Sequence, residues 1–306
     1  MSLTAELRSP ASPVRYFFEH HFPRVDTFWI AWRERVQGLP TLRPSGNLSD
    51  YPWALVGGAI DYRLRAYWRS YKAKDTVAAQ GAMVALGQGS GDAFDLWEDI
   101  AAVWDGLMRT ARPARRVLPP DDEARLDRLC VVLAVYEQIW RSGQVNEILA
   151  RGGTLEEVLA RVPSAVVDDL GQLLAAFWQS GPGEADKGGI VLNPTFSGSA
   201  DVGGADGDII LDGVLWDYKT SVLPTKSTND TWPYQLLGYG LLDYSDRYHL
   251  TGTGIYLVRQ GAWISWTWGE LVALLGGDNS VPLTEWRGRF REGLGLLAIG
   301  QRRFRW

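Results

Sequence analysis

Asp208-Ile209-Ile210-Leu211-Asp212-Gly213-Val214-Leu215-Trp216-Asp217-Tyr218-Lys219 reads as two short apolar strands joined by an Asp-Gly turn. Asp-Gly suits a two-residue hairpin loop because both central residues tolerate positive φ. Side chains alternate along a strand, so Asp217 and Lys219 project from one face. If the two runs pair across the turn, Asp208 falls beside the Asp217 end. Two carboxylates and an ammonium then meet at one edge of a sheet. That set has the chemistry to hold a divalent cation and to position a water against a phosphodiester.

Downstream comes Tyr234-Gln235-Leu236-Leu237-Gly238-Tyr239-Gly240-Leu241-Leu242. Gln235 and Tyr239 lie one helical turn apart and share a face. The leucines are expected to face a core.

The ordered set of Asp, hairpin, Asp-x-Lys and a Gln-x-x-x-Tyr helix resembles the PD-(D/E)XK nuclease superfamily. Within it the RecB-like branch, which includes CRISPR-associated exonucleases of that type, is the nearest likeness. The resemblance covers roughly residues 190–270. It departs from the pattern in one respect, since Gly207 rather than Pro precedes Asp208. The fold it implies is α/β (α+β), with a restriction-endonuclease-like core, a small mixed β-sheet flanked by helices, and a large helical N-terminal or inserted region.

The resemblance also implies site residues. Asp208, Asp217 and the backbone carbonyl of Tyr218 are expected to bind Mg²⁺ or Mn²⁺. Lys219 is expected to orient the attacking water, and Gln235 and Tyr239 to steady the site or touch the nucleic-acid backbone. Related proteins often carry a further acidic or histidine ligand on an upstream helix after a glycine. Asp61, which follows Gly57-Gly58, fits that position loosely. The alternatives are an ion pair of Asp61 with Arg65, and Glu137 as the upstream carboxylate. The implied activity is metal-dependent hydrolysis of DNA in repair, recombination or defence, with RNA left open. The reading from another class is a non-catalytic nucleic-acid-binding or assembly protein on the same fold. The chain has no phosphate-binding ATPase loop, so helicase action would come from a partner.

Composition sets bounds on these readings. The chain has 306 residues, enough for one large domain or two small ones. Its formal net charge of −5 lacks the basic footprint of a protein that simply coats nucleic acid. The one cysteine, Cys130, cannot build the four-cysteine iron–sulfur cluster that several RecB-like nucleases carry. The first residues lack the apolar run of a signal peptide, and no stretch approaches the roughly 20 apolar residues of a membrane span, so a cytoplasmic protein without membrane contact is expected.

Three regions are expected. Residues 1–74 hold N-terminal helices, including the upstream helix at 54–72. Residues 75–182 form a helical insertion or subdomain, with helices at 92–110, 122–142 and 154–180. Residues 183–306 form the nuclease core. In that core, Ile190–Phe196 reads as a strand, and residues 253–259 and 262–268 as a hairpin with Trp266 and Trp268 on one face. The C-terminal stretch carries Arg287, Arg289, Arg291, Arg302, Arg303 and Arg305, read either as phosphate contacts or as a solvated face.

Overall fold

The computed structural model describes residues 2–45, 51–88, 91–110, 118–181, 189–222 and 231–303. These residues form a mixed α/β protein with thirteen α-helices and one five-stranded mixed sheet. None of the described helices is long and apolar enough to cross a membrane. The chain divides into two units, Met1–Pro40 with Pro182–Trp306, and Thr41–Gly181. This partition differs from the expected boundary at 74/75. The first helices belong with the sheet, and the helix expected to join the nuclease core belongs to the helical unit.

The sheet unit opens with α1 (Leu3–Arg8), α2 (Pro13–His21) and α3 (Val25–Val36). Ser12 caps α2, its Oγ accepting from the Val14 N–H at 3.1 Å, with Pro13 in the first turn. Phe17, Phe18, Phe28, Trp29 and Trp32 from these helices, with Phe22 just after α2, are buried in the same core as Leu215, Ile255 and Leu257 of the sheet. That shared core explains why the first helices belong with strands so distant in sequence.

The strands are β1 (Ile190–Leu192), β2 (Ile209–Leu211), β3 (Val214–Lys219), β4 (Gly252–Leu257) and β5 (Ala262–Thr267). They lie in that order across the sheet. β1–β2 and β2–β3 pair antiparallel, β3–β4 parallel and β4–β5 antiparallel. A parallel pair needs a crossover connection, and here the connection contains helix α11 (Trp232–Leu242). Every residue of α11 is buried, as expected for a helix apolar all round. Two further helices, α12 (Trp268–Leu274) and α13 (Leu283–Arg303), complete the unit.

Two sequence expectations change here. β1 stops at Leu192 because Asn193 takes φ +46 and Pro194 follows. Trp268 does not extend β5 but begins α12. Thr267 and Glu270 form a reciprocal capping box that stops the strand.

The helical unit contains α4 (Trp53–Trp68), α5 (Val77–Gly87), α6 (Gly91–Thr110), α7 (Pro120–Ser142), α8 (Glu147–Ala150), α9 (Leu155–Arg161) and α10 (Ser164–Gln179). The helix expected over 154–180 is two helices, interrupted by Pro163. Its Thr154–Glu157 capping box is present. α4 packs against α7 and α10, and α5 against α7. The α5–α7 approach depends on Gly81, where a Cβ would stand 1.8 Å from the Tyr136 carbonyl oxygen. Buried charge is concentrated between α4 and α7. Arg63 Nε donates to Asp127 Oδ1 at 3.0 Å and the guanidinium also pairs with Glu123. Burial raises the Asp127 carboxyl to about 6, against the attraction of Arg63.

Candidate active site

The β2–β3 turn is the one expected from Asp-Gly. Asp212 and Gly213 both take positive φ, 47° and 81°, between the paired residues Leu211 and Val214. Ile209 pairs with Trp216, so one further step of the register sets Asp208 against Asp217. Residues directly opposite in an antiparallel pair share a face, and Lys219 follows by alternation.

The backbone leaves β3 at this step. Asn193 N–H donates to the Asp208 carbonyl at 3.0 Å, and Gly207 N–H to the Pro194 carbonyl at 2.9 Å. Both bonds run toward the β1 side. The Tyr218 N–H, beyond the last β2–β3 pair, is taken instead by Asp208 Oδ2 at 2.5 Å. A strand residue directs its N–H and C=O to the same side, so the Tyr218 carbonyl opens toward Asp208. On the opposite side, Val258 N–H donates to the Lys219 carbonyl at 3.0 Å. Gly207 packs closely here, since a Cβ would lie 2.8 Å from Leu215 Cδ1 and the leucine side chain would have to shift to admit it.

Lys219 is held at three points. Its Nζ is 2.5 Å from Asp217 Oδ2, 3.1 Å from Gln235 Oε1 and 5.4 Å from the centre of the Trp232 ring. Gln235 Nε2 donates to the Tyr239 hydroxyl at 2.8 Å and to Thr4 Oγ1 at 3.2 Å. The crossover helix therefore fixes the lysine from above the sheet. Asp217 is 4 % exposed, and its Oδ2 makes no hydrogen bond of good geometry despite the nearby ammonium. Burial pushes the Tyr239 hydroxyl well above its usual range, and the charges of Asp217, Asp208 and Asp206 add to the effect. That phenol is thus a neutral donor in a field of carboxylates.

The structure brings together Asp208, Asp217, Lys219, Gln235 and Tyr239. Asp61 lies in the helical unit, on α4, with both carboxylate oxygens on Arg65. Glu137 is in the same unit and accepts from the Tyr62 hydroxyl at 2.8 Å. Asp206 and Thr4 were missed from sequence. Asp206 sits two residues before Asp208 and bridges to Thr195, and alternation alone carried its signal. Nothing local marked Thr4, whose partner lies far away in the chain.

The Arg-rich helix α13 is also partly explained. Arg287 is buried, donates to the Gly240 carbonyl at 2.9 Å and pairs with Asp246 at 2.6 Å. Arg289 pairs with Glu285 at 2.6 Å. The side chains of Arg302, Arg303 and Arg305 lie outside what is described.

The donor set suits a hard divalent cation. Two carboxylates stand beside a backbone carbonyl, with Asp217 Oδ2 paired to the Lys219 ammonium, and magnesium keeps several waters on such a partial set. Among the described residues, no group of three or more His, Cys, Asp or Glu side chains forms a ready metal cage. Comparison of the chain with protein-family models, curated proteins and solved structures gives no match.

Proposed function

We propose that this chain is a Mg²⁺- or Mn²⁺-dependent nuclease that hydrolyses phosphodiester bonds in DNA, built on a restriction-endonuclease-like core. One observation carries the reading. Asp208, Asp217 and Lys219 share one face at the end of a hairpin, and the crossover helix supplies Gln235 to the lysine. The order of elements supports it, with three antiparallel strands, a crossover helix and a strand parallel to the third.

Asp208, Asp217 and the Tyr218 carbonyl would hold the ion. A bound divalent ion polarises the phosphate and lowers the pKa of its water. Lys219, held between Asp217 and Gln235, orients that water and offsets charge on the scissile phosphate. Tyr239, kept protonated by burial, offers a neutral O–H to an anionic oxygen.

The test is cleavage of linear, circular and single-stranded DNA with Mg²⁺ or Mn²⁺, wild type beside Lys219→Ala. Cleavage by the wild type alone supports the reading, and sparing of the circle makes the enzyme an exonuclease. DNA binding without cleavage by either protein refutes it in favour of a binding module.

A further inference from the structure

We propose that Thr4, on the first helix, is a positioning residue for Lys219, acting through the Gln235 amide. Its meaning for catalysis rests on the nuclease reading above, but its structural consequence does not.

A glutamine amide has two N–H donors on nitrogen and an acceptor oxygen, whereas a lysine ammonium only donates. Gln235 Oε1 must therefore face Lys219, 3.1 Å away. Nε2 is then turned to Tyr239 and Thr4, and both of its donors are used. Gln235 is 9 % exposed, so an amide N–H left without Thr4 would find little water. Turning the amide to relieve it would draw Oε1 away from the lysine.

The first helix is seated to make this contact. Leu3 and Leu7 are 1 % and 0 % exposed. Leu3 N–H donates to the Gly204 carbonyl at 2.9 Å, on the segment that leads to Asp206 and Asp208. Leu3 also fills the space above Gly238, where a Cβ would meet its two methyls at 3.1 and 3.3 Å. Gly238 is the neighbour of Tyr239 on α11. The missing side chain at 238 admits Leu3, and Leu3 brings Thr4 to Gln235. The helix is thereby tied to both the carboxylate strand and the lysine's partner.

The test uses the full chain with Thr4→Val, which removes the acceptor at nearly constant shape, and Thr4→Ser, which keeps it. The first readout is the rate at which an N-hydroxysuccinimide ester acylates Lys219, measured by peptide mass spectrometry. Loss of one buried hydrogen bond is expected to raise that rate about three- to tenfold in Thr4→Val. Thr4→Ser should match the wild type in rate and in melting, and Thr4→Val should stay folded with a melting temperature about 2–4 °C lower. The second readout is turnover, where kcat should fall by a similar factor in Thr4→Val with KM little changed, and recover in Thr4→Ser. Unchanged Lys219 labelling in Thr4→Val, or equal impairment in Thr4→Ser, overturns the proposal. The expected labelling pattern in a wild-type protein that cleaves nothing would uphold the coupling and refute the nuclease reading instead.

Discussion

Replacing Lys219 by methionine keeps most of the side chain's length and removes its charge. Asp217 then keeps a negative charge at 4 % exposure, with its former cation gone. Breaking a buried pair in this way costs about 3–5 kcal/mol. Relative to wild type, the variant should lose that amount at pH 7. Urea unfolding in EDTA at pH 7 measures this, with hydrogen exchange at the β3 and β4 amides assigning the transition to the sheet unit. Cleavage by the same variant should fall at least about a hundredfold. A variant as stable as wild type would refute the claim that Lys219 neutralises a buried Asp217.

Other outcomes are expected from the same reasoning. Divalent metal at about ten times its dissociation constant should stabilise the wild type by about 1.4 kcal/mol. Asp208→Asn and Asp217→Asn should lose most of that gain, and thermal melts with Mg²⁺, Mn²⁺ and EDTA will read it. Gly81→Ala would place a methyl 1.8 Å from the Tyr136 carbonyl oxygen, forcing α5 and α7 apart at a cost of about 3 kcal/mol. A urea-midpoint loss below about 1 kcal/mol would contradict so close an approach. The Asp127 carboxyl, raised to about 6 chiefly by burial, binds its proton at higher pH in the folded state than in the unfolded one. Its contribution therefore lowers the stability of the helical unit as pH rises from about 4 to 6. Asp127→Asn should lack that slope, and urea midpoints of both proteins at pH 4, 5 and 6 provide the comparison.

Much of the candidate site was legible because it is local. Asp212-Gly213 specifies a tight turn, and alternation then places Asp208, Asp217 and Lys219 without reference to the rest of the chain. The one-turn spacing of Gln235 and Tyr239 needs only a helix. Local signals also mark the places where the structure departs from the expected pattern. Pro163 breaks the helix expected over 154–180, and Thr267 with Glu270 ends the strand that tryptophan alternation extends to Trp268. Asp206 followed the same alternation as Asp208.

Turn chemistry and residue periodicity act over a few residues, so the sequence by itself determined the hairpin, the helix carrying Gln235 and Tyr239, and the face carrying two carboxylates and a lysine. The partition into units was decided only in three dimensions. Aromatic side chains of the first 40 residues are buried with strands that begin at Ile190, and helix α4 instead matches its buried Arg63 to carboxylates on α7. Tertiary packing likewise set Thr4 against Gln235. Such pairings depend on burial and charge compensation between distant segments, which no local pattern in the chain records.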